Sequence, residues 1–137
     1  MESRYASERP ERGIAVDASH LASKGITEYQ GVDIETGKAL FRQNLGNQTV
    51  NIGEFLAIVH AVHYIIENCY EPRVVYSDSM VALSWFRKKR TASTKPSPML
   101  KKAEIFLKAL DCDIENIDVR FWDNKEYGET PADFGRK

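Results

Sequence analysis

The sequence is poor in the residues that cross-link a chain and has no segment that would hold it in a membrane. It contains 2 cysteines, Cys69 and Cys112, too few for a disulfide framework. The longest unbroken apolar run, residues 55–59, is far shorter than the roughly 20 residues that cross a bilayer. Residues 1–13 mix charges of both signs without an apolar stretch, so we predict no secretory signal. We therefore expect a cytoplasmic protein with reduced thiols and no membrane partner.

Glycine and proline are also scarce, with 8 and 5 residues, which excludes collagen-like and low-complexity chains. The 137 residues, 42% of them hydrophobic, suit one globular domain whose core is large enough to be stable without disulfides. We predict a flexible N-terminal arm over residues 1–12 and a single domain over residues 13–137. We also expect the protein to be a monomer.

The formal net charge is only −1, yet the charges are unevenly distributed along the chain. Residues 84–110 contain 8 Lys and Arg against Glu104 alone, whereas each flanking segment has a net charge of −4. A basic segment of this kind is a candidate footprint for the phosphates of a nucleic acid. A solvated helix face would have the same composition, so the charge pattern leaves both interpretations open.

The hydrophobic spacing predicts three leading strands, followed by two further strands that alternate with helices. The clearest element is residues 51–68, where apolar side chains recur every three or four positions, as on the buried face of a helix. We predict strands at residues 13–16, 25–34, 38–44, 73–76 and 117–122, helices at 80–89 and 99–110, and a short helical tail that carries Glu129 and Asp133. Short loops imply an antiparallel meander, and later crossovers add parallel strands. The predicted fold class is α/β, a mixed sheet covered by helices.

Acidic residues stand where several of these elements begin or end. Asp17 follows the first strand, Glu54 lies in the first turn of the long helix, and Asp78 follows the fourth strand. Glu129 and Asp133 are four residues apart near the C-terminus. Carboxylate oxygens are the ligands that Mg²⁺ and Mn²⁺ prefer, and two such ions can serve phosphodiester hydrolysis. The set as a whole therefore indicates a metal site for phosphoryl chemistry.

Taken singly, these acidic residues also have ordinary structural explanations. Asp17 suits a turn, and Asp78 suits the N-cap of a helix. Asn51 and Glu54 resemble a capping box, and Asp133 suits the first turn of a helix. The residues alone leave both explanations open at each position.

Four short blocks are the most specific signal in the chain: VD at 16–17, NIGEFLAIVH at 51–60, YSDS at 76–79 and GETPADFGRK at 128–137. These blocks resemble the signature of type 1 ribonuclease H in its compact bacterial form, and the match runs from about residue 13 to residue 137. The resemblance implies a ribonuclease H-like fold. In that fold a mixed five-stranded sheet, three antiparallel strands and then two parallel ones, is flanked by helices.

By this resemblance, the chain would be an endonuclease that hydrolyses the RNA strand of RNA–DNA hybrids with two Mg²⁺ ions, for which Mn²⁺ can substitute. Asp17 would bridge both ions, and Asp133 would complete the site of the ion that activates water. Glu54 and Asp78 would hold the second ion. Glu129 matches an additional acidic position associated with metal exchange or product release.

The resemblance also implies contacts with the DNA strand of the hybrid. Thr49, Asn51, Ser93 and Thr94 match a pocket that grips one phosphate, a task for which short hydroxyl and amide groups are suited. Trp85 matches an aromatic residue that packs on deoxyribose. A core position on the second predicted helix is an equally ordinary role for that tryptophan.

Three positions depart from the family pattern, and they bear on hybrid contacts rather than on cleavage. Val50 replaces an Asn that reads the minor groove, Met80 replaces a polar residue, and Ser23 also differs. Two other functions stay open: a DNA-processing nuclease of the same superfamily, such as a resolvase or a transposase-like enzyme, and a non-catalytic nucleic-acid-binding domain. The complete carboxylate set argues against the second, because carboxylates repel the phosphates that a binding domain must hold.

Overall fold

One mixed sheet organises the computed structural model, which describes residues 9–88 and 98–134. Its strands are β1 (Ile14–Leu21), β2 (Ile26–Asp33), β3 (Ala39–Asn44), β4 (Val74–Ser77) and β5 (Asp118–Phe121). They lie in the order β3-β2-β1-β4-β5. The first three strands pair antiparallel, whereas β1 pairs parallel with β4 and β4 pairs parallel with β5. The predicted sheet, three antiparallel strands and then two parallel ones, is confirmed.

The helices are α1 (Val50–Asn68), α2 (Met80–Lys88), α3 (Pro98–Ala109), α4 (Asp111–Ile114) and α5 (Asn124–Tyr127). The long helix α1 packs against β1, β2 and β4 and also contacts α2 and α3. Within the described ranges it is the one helix long and apolar enough to cross a membrane, judged by length and composition alone. Because 61% of its apolar window is buried inside the domain, its hydrophobic character is that of a core helix.

Strand β1 continues past the point where the sequence predicted a turn. Asp17 lies inside the strand and is the register partner of Gln30 in β2, so its assignment to a turn is wrong. Val16 and Ala18 belong to the core beneath α1, whereas Ala15 packs in a small cluster on the opposite face. The polar residues after Val16 hid this alternation, which is the usual mark of a strand.

The helix N-termini use capping residues other than the predicted ones. Thr49 caps α1, and its hydroxyl oxygen accepts from the backbone N–H three residues further on, at 3.3 Å. Ser79 does the same for α2 at 3.1 Å. The capping box of Asn51 and Glu54 and the N-cap role of Asp78 are therefore wrong, and both carboxylates are available for another role.

The predicted C-terminal helix is also wrong within the described residues. Helix α5 ends at Tyr127, and the following segment to residue 134 has no helix. In that segment the backbone N–H of Asp133 donates to the carbonyl of Thr130 at 3.0 Å. The fully buried Trp122 donates from its indole Nε1 to the carbonyl of Gly128 at 2.9 Å and so folds the segment back toward β5.

Candidate active site

The sheet and α1 bring three of the five predicted carboxylates together. One carboxylate oxygen from each of Asp17, Glu54 and Asp78 lies within 4.8 Å of the other two, and we call this group the carboxylate cluster. Asp17 and Asp78 meet because β1 and β4 are parallel neighbours, with Val16 in register with Ser77. Each acidic residue directly follows one of that pair, and Glu54 enters from the buried face of α1.

A glycine allows α1 to approach β1 closely enough for this meeting. A Cβ at Gly53 would lie 2.9 Å from Cγ2 of Thr27, a separation that real Cβ atoms essentially never show, and 3.0 Å from Cβ of Ala18, which is also unusually tight. The start of α1 therefore sits directly on β1 and β2 at this point. The next residue along the helix, Glu54, is thereby brought up to Asp17.

The carboxylate cluster is largely buried, with Asp78 half-buried, and its members are only acceptors when they are ionised. Asp17 is 5% exposed and Glu54 is 8% exposed. Oxygen Oε1 of Glu54 is buried without a hydrogen-bond partner. Burial, followed by the charges of Asp17 and Asp78, raises the pKa of Glu54 to about 10. Without a cation, the cluster therefore holds a proton at neutral pH to relieve the mutual repulsion.

The remaining two predicted carboxylates, Glu129 and Asp133, are not part of this 4.8 Å group. The segment that carries them is nevertheless tied to the strand next to Asp17. Gln30, the register partner of Asp17, donates from Nε2 to the carbonyl of Ala132 at 2.6 Å. Asp133 directly follows that anchored residue, whereas Glu129 is exposed.

One neighbour of the carboxylate cluster was missed in the sequence. Asn124, the first residue of α5, donates from Nδ2 to Oδ2 of Asp78 at 2.9 Å. A signal for it existed, because the carboxyl ends of parallel strands meet at one edge of a sheet. Asn124 comes shortly after β5, Asp78 comes directly after β4, and β4 and β5 are parallel neighbours.

The residues predicted to hold a DNA phosphate are only partly described. Thr49 and Asn51 are exposed at the N-terminus of α1, whereas Ser93 and Thr94 lie outside the described residues. The loop that leads into Thr49 is fixed by Thr27, whose hydroxyl donates to the carbonyl of Gln48 at 2.5 Å. The N-terminus of α1 therefore presents its polar groups from an anchored loop, a setting suited to a phosphate.

Trp85 is a core residue, the alternative role that the sequence left open. It is 9% exposed, and its ring packs edge-on against Phe55 with centroids 5.9 Å apart. Its contact with deoxyribose stays a prediction. Within the basic segment, the exposed cations on the described helices are Arg87, Lys88, Lys101, Lys102 and Lys108.

A separate groove of about 450 Å³ lies between α1, α3 and the β2–β3 hairpin. Tyr29, His60, Lys102 and Phe106 contribute to its walls. None of the five predicted carboxylates lines it. The chemistry expected from the acidic residues therefore lies at the middle of β1 and the end of β4, outside this groove.

No family model matches the chain. Among solved structures, a ribonuclease H1 isolated from compost by a metagenomic approach is similar, with a TM-score of 0.56 and 16% identity over 82% of this chain and 84% of that one. The N-terminal ribonuclease H domain of a Mycobacterium tuberculosis protein, solved as a fusion with maltose-binding protein, has a TM-score of 0.50 and 15% identity over 82% of this chain and 81% of that one.

A foamy viral protease–reverse transcriptase, solved in complex with an RNA/DNA hybrid, is also similar. Its TM-score is 0.56 at 14% identity, and the match covers 85% of this chain and 18% of that much longer one. At these low identities the likeness concerns the fold. The chain has the ribonuclease H fold, as the sequence motifs predicted.

Proposed function

We propose that this protein is a divalent-metal-dependent endonuclease that hydrolyses the RNA strand of RNA–DNA hybrids. The observation that carries the proposal is the carboxylate cluster, in which Asp17, Glu54 and Asp78 offer oxygens within 4.8 Å of one another. The likeness to ribonucleases H, and to a reverse transcriptase solved with a hybrid, supports the assignment of substrate.

The donor set fits a hard divalent cation. It consists of carboxylate oxygens alone, which suit Mg²⁺ or Mn²⁺ better than softer metals. Oε1 of Glu54 is buried and has no hydrogen-bond partner, an arrangement that is costly unless a proton or a cation satisfies it. Asp17, Glu54 and Asp78 would hold the metal, Asp133 would add a further ligand, and Mg²⁺ is the ion that we propose.

The bound ions would supply positive charge to the attacking and leaving oxygens of the phosphodiester. The chain's own residues act by position. Asp17 and Asp78 are fixed by strand register, Glu54 by the close approach of α1, and the exposed Glu129 would assist release of the product. This division leaves little acid–base chemistry to protein side chains.

Recognition of the hybrid would use the N-terminus of α1. Thr49 and Asn51 would contact one phosphate of the DNA strand, together with Ser93 and Thr94 in our proposal. Val50 lies between the first two and is 41% exposed, so it would present an apolar surface where the family pattern has an amide. The exposed lysines of α3 would add attraction to phosphates that weakens with salt.

The test is a cleavage assay that compares labelled RNA–DNA hybrid, duplex DNA and duplex RNA in the presence of Mg²⁺, Mn²⁺ or EDTA. We expect metal-dependent cutting that is confined to the RNA of the hybrid. Cutting of duplex DNA would instead favour a DNA-processing nuclease. Binding of the hybrid without any cutting would favour a non-catalytic domain and would contradict the proposal.

The matched variants are Asp17→Asn and Asp118→Asn. Asp17→Asn removes one acceptor charge from the carboxylate cluster and should lower the cleavage rate by about 10³-fold or more, which corresponds to about 4 kcal/mol. Asp118 lies at the start of β5, at the other end of the strands, where it pairs with Arg120. Asp118→Asn should therefore leave cleavage within about twofold of the wild type.

A further inference from the structure

The side chain of Asn124 joins two parts of the candidate site that are far apart in sequence. Its Nδ2 donates to Oδ2 of Asp78 at 2.9 Å, and its Oδ1 accepts from the backbone N–H of Thr130 at 3.1 Å. The first bond spans 46 positions of the chain. Both polar ends of the amide are therefore occupied at once, by two different segments.

These two partners determine which way the amide points. A backbone N–H can only donate, so it requires the carbonyl oxygen of Asn124, and an ionised carboxylate can only accept, so it requires the amide nitrogen. An ionised aspartate at this position would keep the bond from Thr130, lose the bond to Asp78 and repel that carboxylate. An asparagine is the residue of this length that satisfies both partners without adding charge.

The backbone around Asn124 is held by its own contacts. The backbone N–H of Trp122 donates to the carbonyl of Ser77 at 2.8 Å, directly before Asp78. Asp123 caps α5 through its side chain, and the N–H of Gly128 donates to the carbonyl of Asn124 at 3.0 Å. The backbone that carries Asn124 is therefore held by hydrogen bonds on both sides of it, close to the end of β4.

The bond to Thr130 connects Asn124 to the segment that carries Glu129 and Asp133. Thr130 is 2% exposed, and its carbonyl accepts from the N–H of Asp133 at 3.0 Å. The same segment is fixed from the opposite side by Gln30 through the carbonyl of Ala132. A continuous hydrogen-bonded path therefore runs from Asp78 through Asn124 and Thr130 to Asp133.

We propose that Asn124 is a positioning residue that orients the carboxylate of Asp78 and seats residues 129–133 beside the carboxylate cluster; this inference rests on the proposed function. A neutral amide orients a carboxylate without cancelling its charge, whereas Lys or Arg at this place would compete with a cation. Partners of this kind commonly set metal affinity, and their loss typically costs about 10–100-fold in affinity or activity.

The test uses Asn124→Ala, which removes both bonds, and Asn124→Leu, which removes them while keeping most of the side-chain volume. The matched control is Asn68→Ala, because Asn68 also donates from Nδ2, to the carbonyl of Tyr64 at 3.0 Å. It lies at the opposite end of α1 from Glu54, about 21 Å away along the helix axis. Thermal unfolding in EDTA shows whether each variant folds.

Mn²⁺ affinity is then measured by titration calorimetry without substrate, and kcat and KM are measured on the hybrid. We expect both Asn124 variants to bind Mn²⁺ about 10–100-fold more weakly. Their kcat should fall at limiting metal and recover in excess metal, with KM for the hybrid unchanged. Asn68→Ala should match the wild type in every measurement.

The possible failures are distinguishable. If either folded Asn124 variant binds Mn²⁺ with wild-type affinity, or only its unfolding temperature changes, Asn124 is not a positioning residue and the inference is overturned. If the wild-type protein itself binds no divalent metal, the proposed metal centre fails and this inference fails with it. If the wild type binds the metal but cuts no hybrid, the proposed function fails, and the metal titration still decides the role of Asn124.

Discussion

Two groups of polar side chains lie beside α1. One is a neutral, hydrogen-bonded pair, whereas the other is a set of carboxylates whose charges repel one another. The carboxylate cluster adjoins the first turns of α1. The other group, which we call the tyrosine–histidine pair, is formed by Tyr29 and His60, two residues whose hydroxyl and ring Nδ1 lie 2.7 Å apart. Glu54 and His60 both lie on α1, about 9 Å apart along the helix axis. Their partners Asp17 and Tyr29 lie on neighbouring strands of the same sheet.

The tyrosine–histidine pair is complementary and complete within the protein. Burial raises the pKa of Tyr29 to about 12 and lowers the pKa of His60. Both groups are therefore neutral near pH 7, and the hydroxyl and the ring nitrogen share one hydrogen bond. Phe41 stacks on the His60 ring with centroids 3.9 Å apart, and Gly31 leaves room for that phenylalanine ring.

The charges of the carboxylate cluster are not balanced in this way, although Asn124 donates a hydrogen bond to Asp78. Its members are all acceptors when ionised, and the charges of Asp17 and Asp78 act on Glu54 with the same sign as its own. Burial alone therefore does not mark a functional site, because each group combines buried and half-buried side chains. The mark is a set of charges that only something from outside, a proton or a cation, can satisfy.

The largest effect on stability is expected when the charge of Glu54 is removed from the carboxylate cluster. Burial and the neighbouring carboxylates raise its pKa from 4.5 to about 10, so the folded state holds its proton more tightly than the unfolded state. In EDTA, the contribution of Glu54 to stability is therefore fully present below about pH 4.5 and is lost as the pH rises toward 10, by up to about 1.4 kcal/mol per pH unit. Glu54→Gln should flatten this slope and stabilise the metal-free protein by roughly 2–4 kcal/mol at pH 8.

Urea unfolding at several pH values measures this effect, and added Mn²⁺ reverses it. Wild-type protein should gain about 2.7 kcal/mol at a metal concentration of 100 times Kd, whereas Glu54→Gln should gain much less. Glu67→Gln is the matched control, because that glutamate lies on the same helix, 64% exposed beside His63. A wild-type stability in EDTA that does not fall with rising pH would contradict the expected repulsion.

Local patterns predicted most of the fold, because the helices and strands are built by contacts close in sequence. The apolar spacing of residues 51–68 predicted α1 to within one residue, and the order of short and long loops predicted the sheet. The failures lie where polar residues serve distant partners. The sequence suggests a turn at Asp17 because Asp and Ser, which favour turns, follow Val16 closely. The position of Asp17 is instead set by the pairing of β1 with β2, where its partner is Gln30.

The candidate site shows the same limit more sharply. The motifs singled out Asp17, Glu54 and Asp78, and the structure brings these three together. The order of the strands could have placed Asn124 near Asp78, but no spacing in the sequence specifies the bond itself, which depends on two strands lying side by side. The helical tail expected for Glu129 and Asp133 fails for a related reason: buried Trp122 holds Gly128 through its indole, and this long-range geometry ends the helix at Tyr127.

A smaller effect is expected when the tyrosine–histidine pair is broken. Tyr29→Phe removes the hydroxyl and leaves Nδ1 of His60 without this partner in a half-buried position, which should cost about 1–2 kcal/mol of unfolding free energy. Tyr64→Phe is the control, because the described residues offer its hydroxyl no hydrogen bond. The double variant Tyr29→Phe with His60→Phe should recover part of the loss, because both polar partners are then absent. Equal stability of Tyr29→Phe and wild type would show that the pair contributes nothing.

The smallest expected effect is the loss of stability that follows protonation of His60 in mild acid. Burial, and then the charge of His63, lowers the pKa of His60 below 6.5. The unfolded chain therefore binds the proton first, and the stability that neutral His60 contributes above pH 6.5 is lost as the pH falls toward its folded pKa. Glu54 acts with the opposite sign over the same range, so the measurement belongs in the Glu54→Gln background.

In that background, urea unfolding between pH 7 and pH 5 should show a small loss of stability that His60→Gln removes. His63→Gln takes away only the lesser of the two causes, so most of the loss should persist in that variant. The range stops at pH 5 because hydrogen bonds from Tyr70 and Thr36 hold the pKa of Asp33 below 3.8, and its contribution begins to disappear only in stronger acid. If the loss of stability between pH 7 and pH 5 has the same size with and without His60, other groups are responsible for the acid sensitivity. The tyrosine–histidine pair would then have no pH response of its own to set against that of the carboxylate cluster.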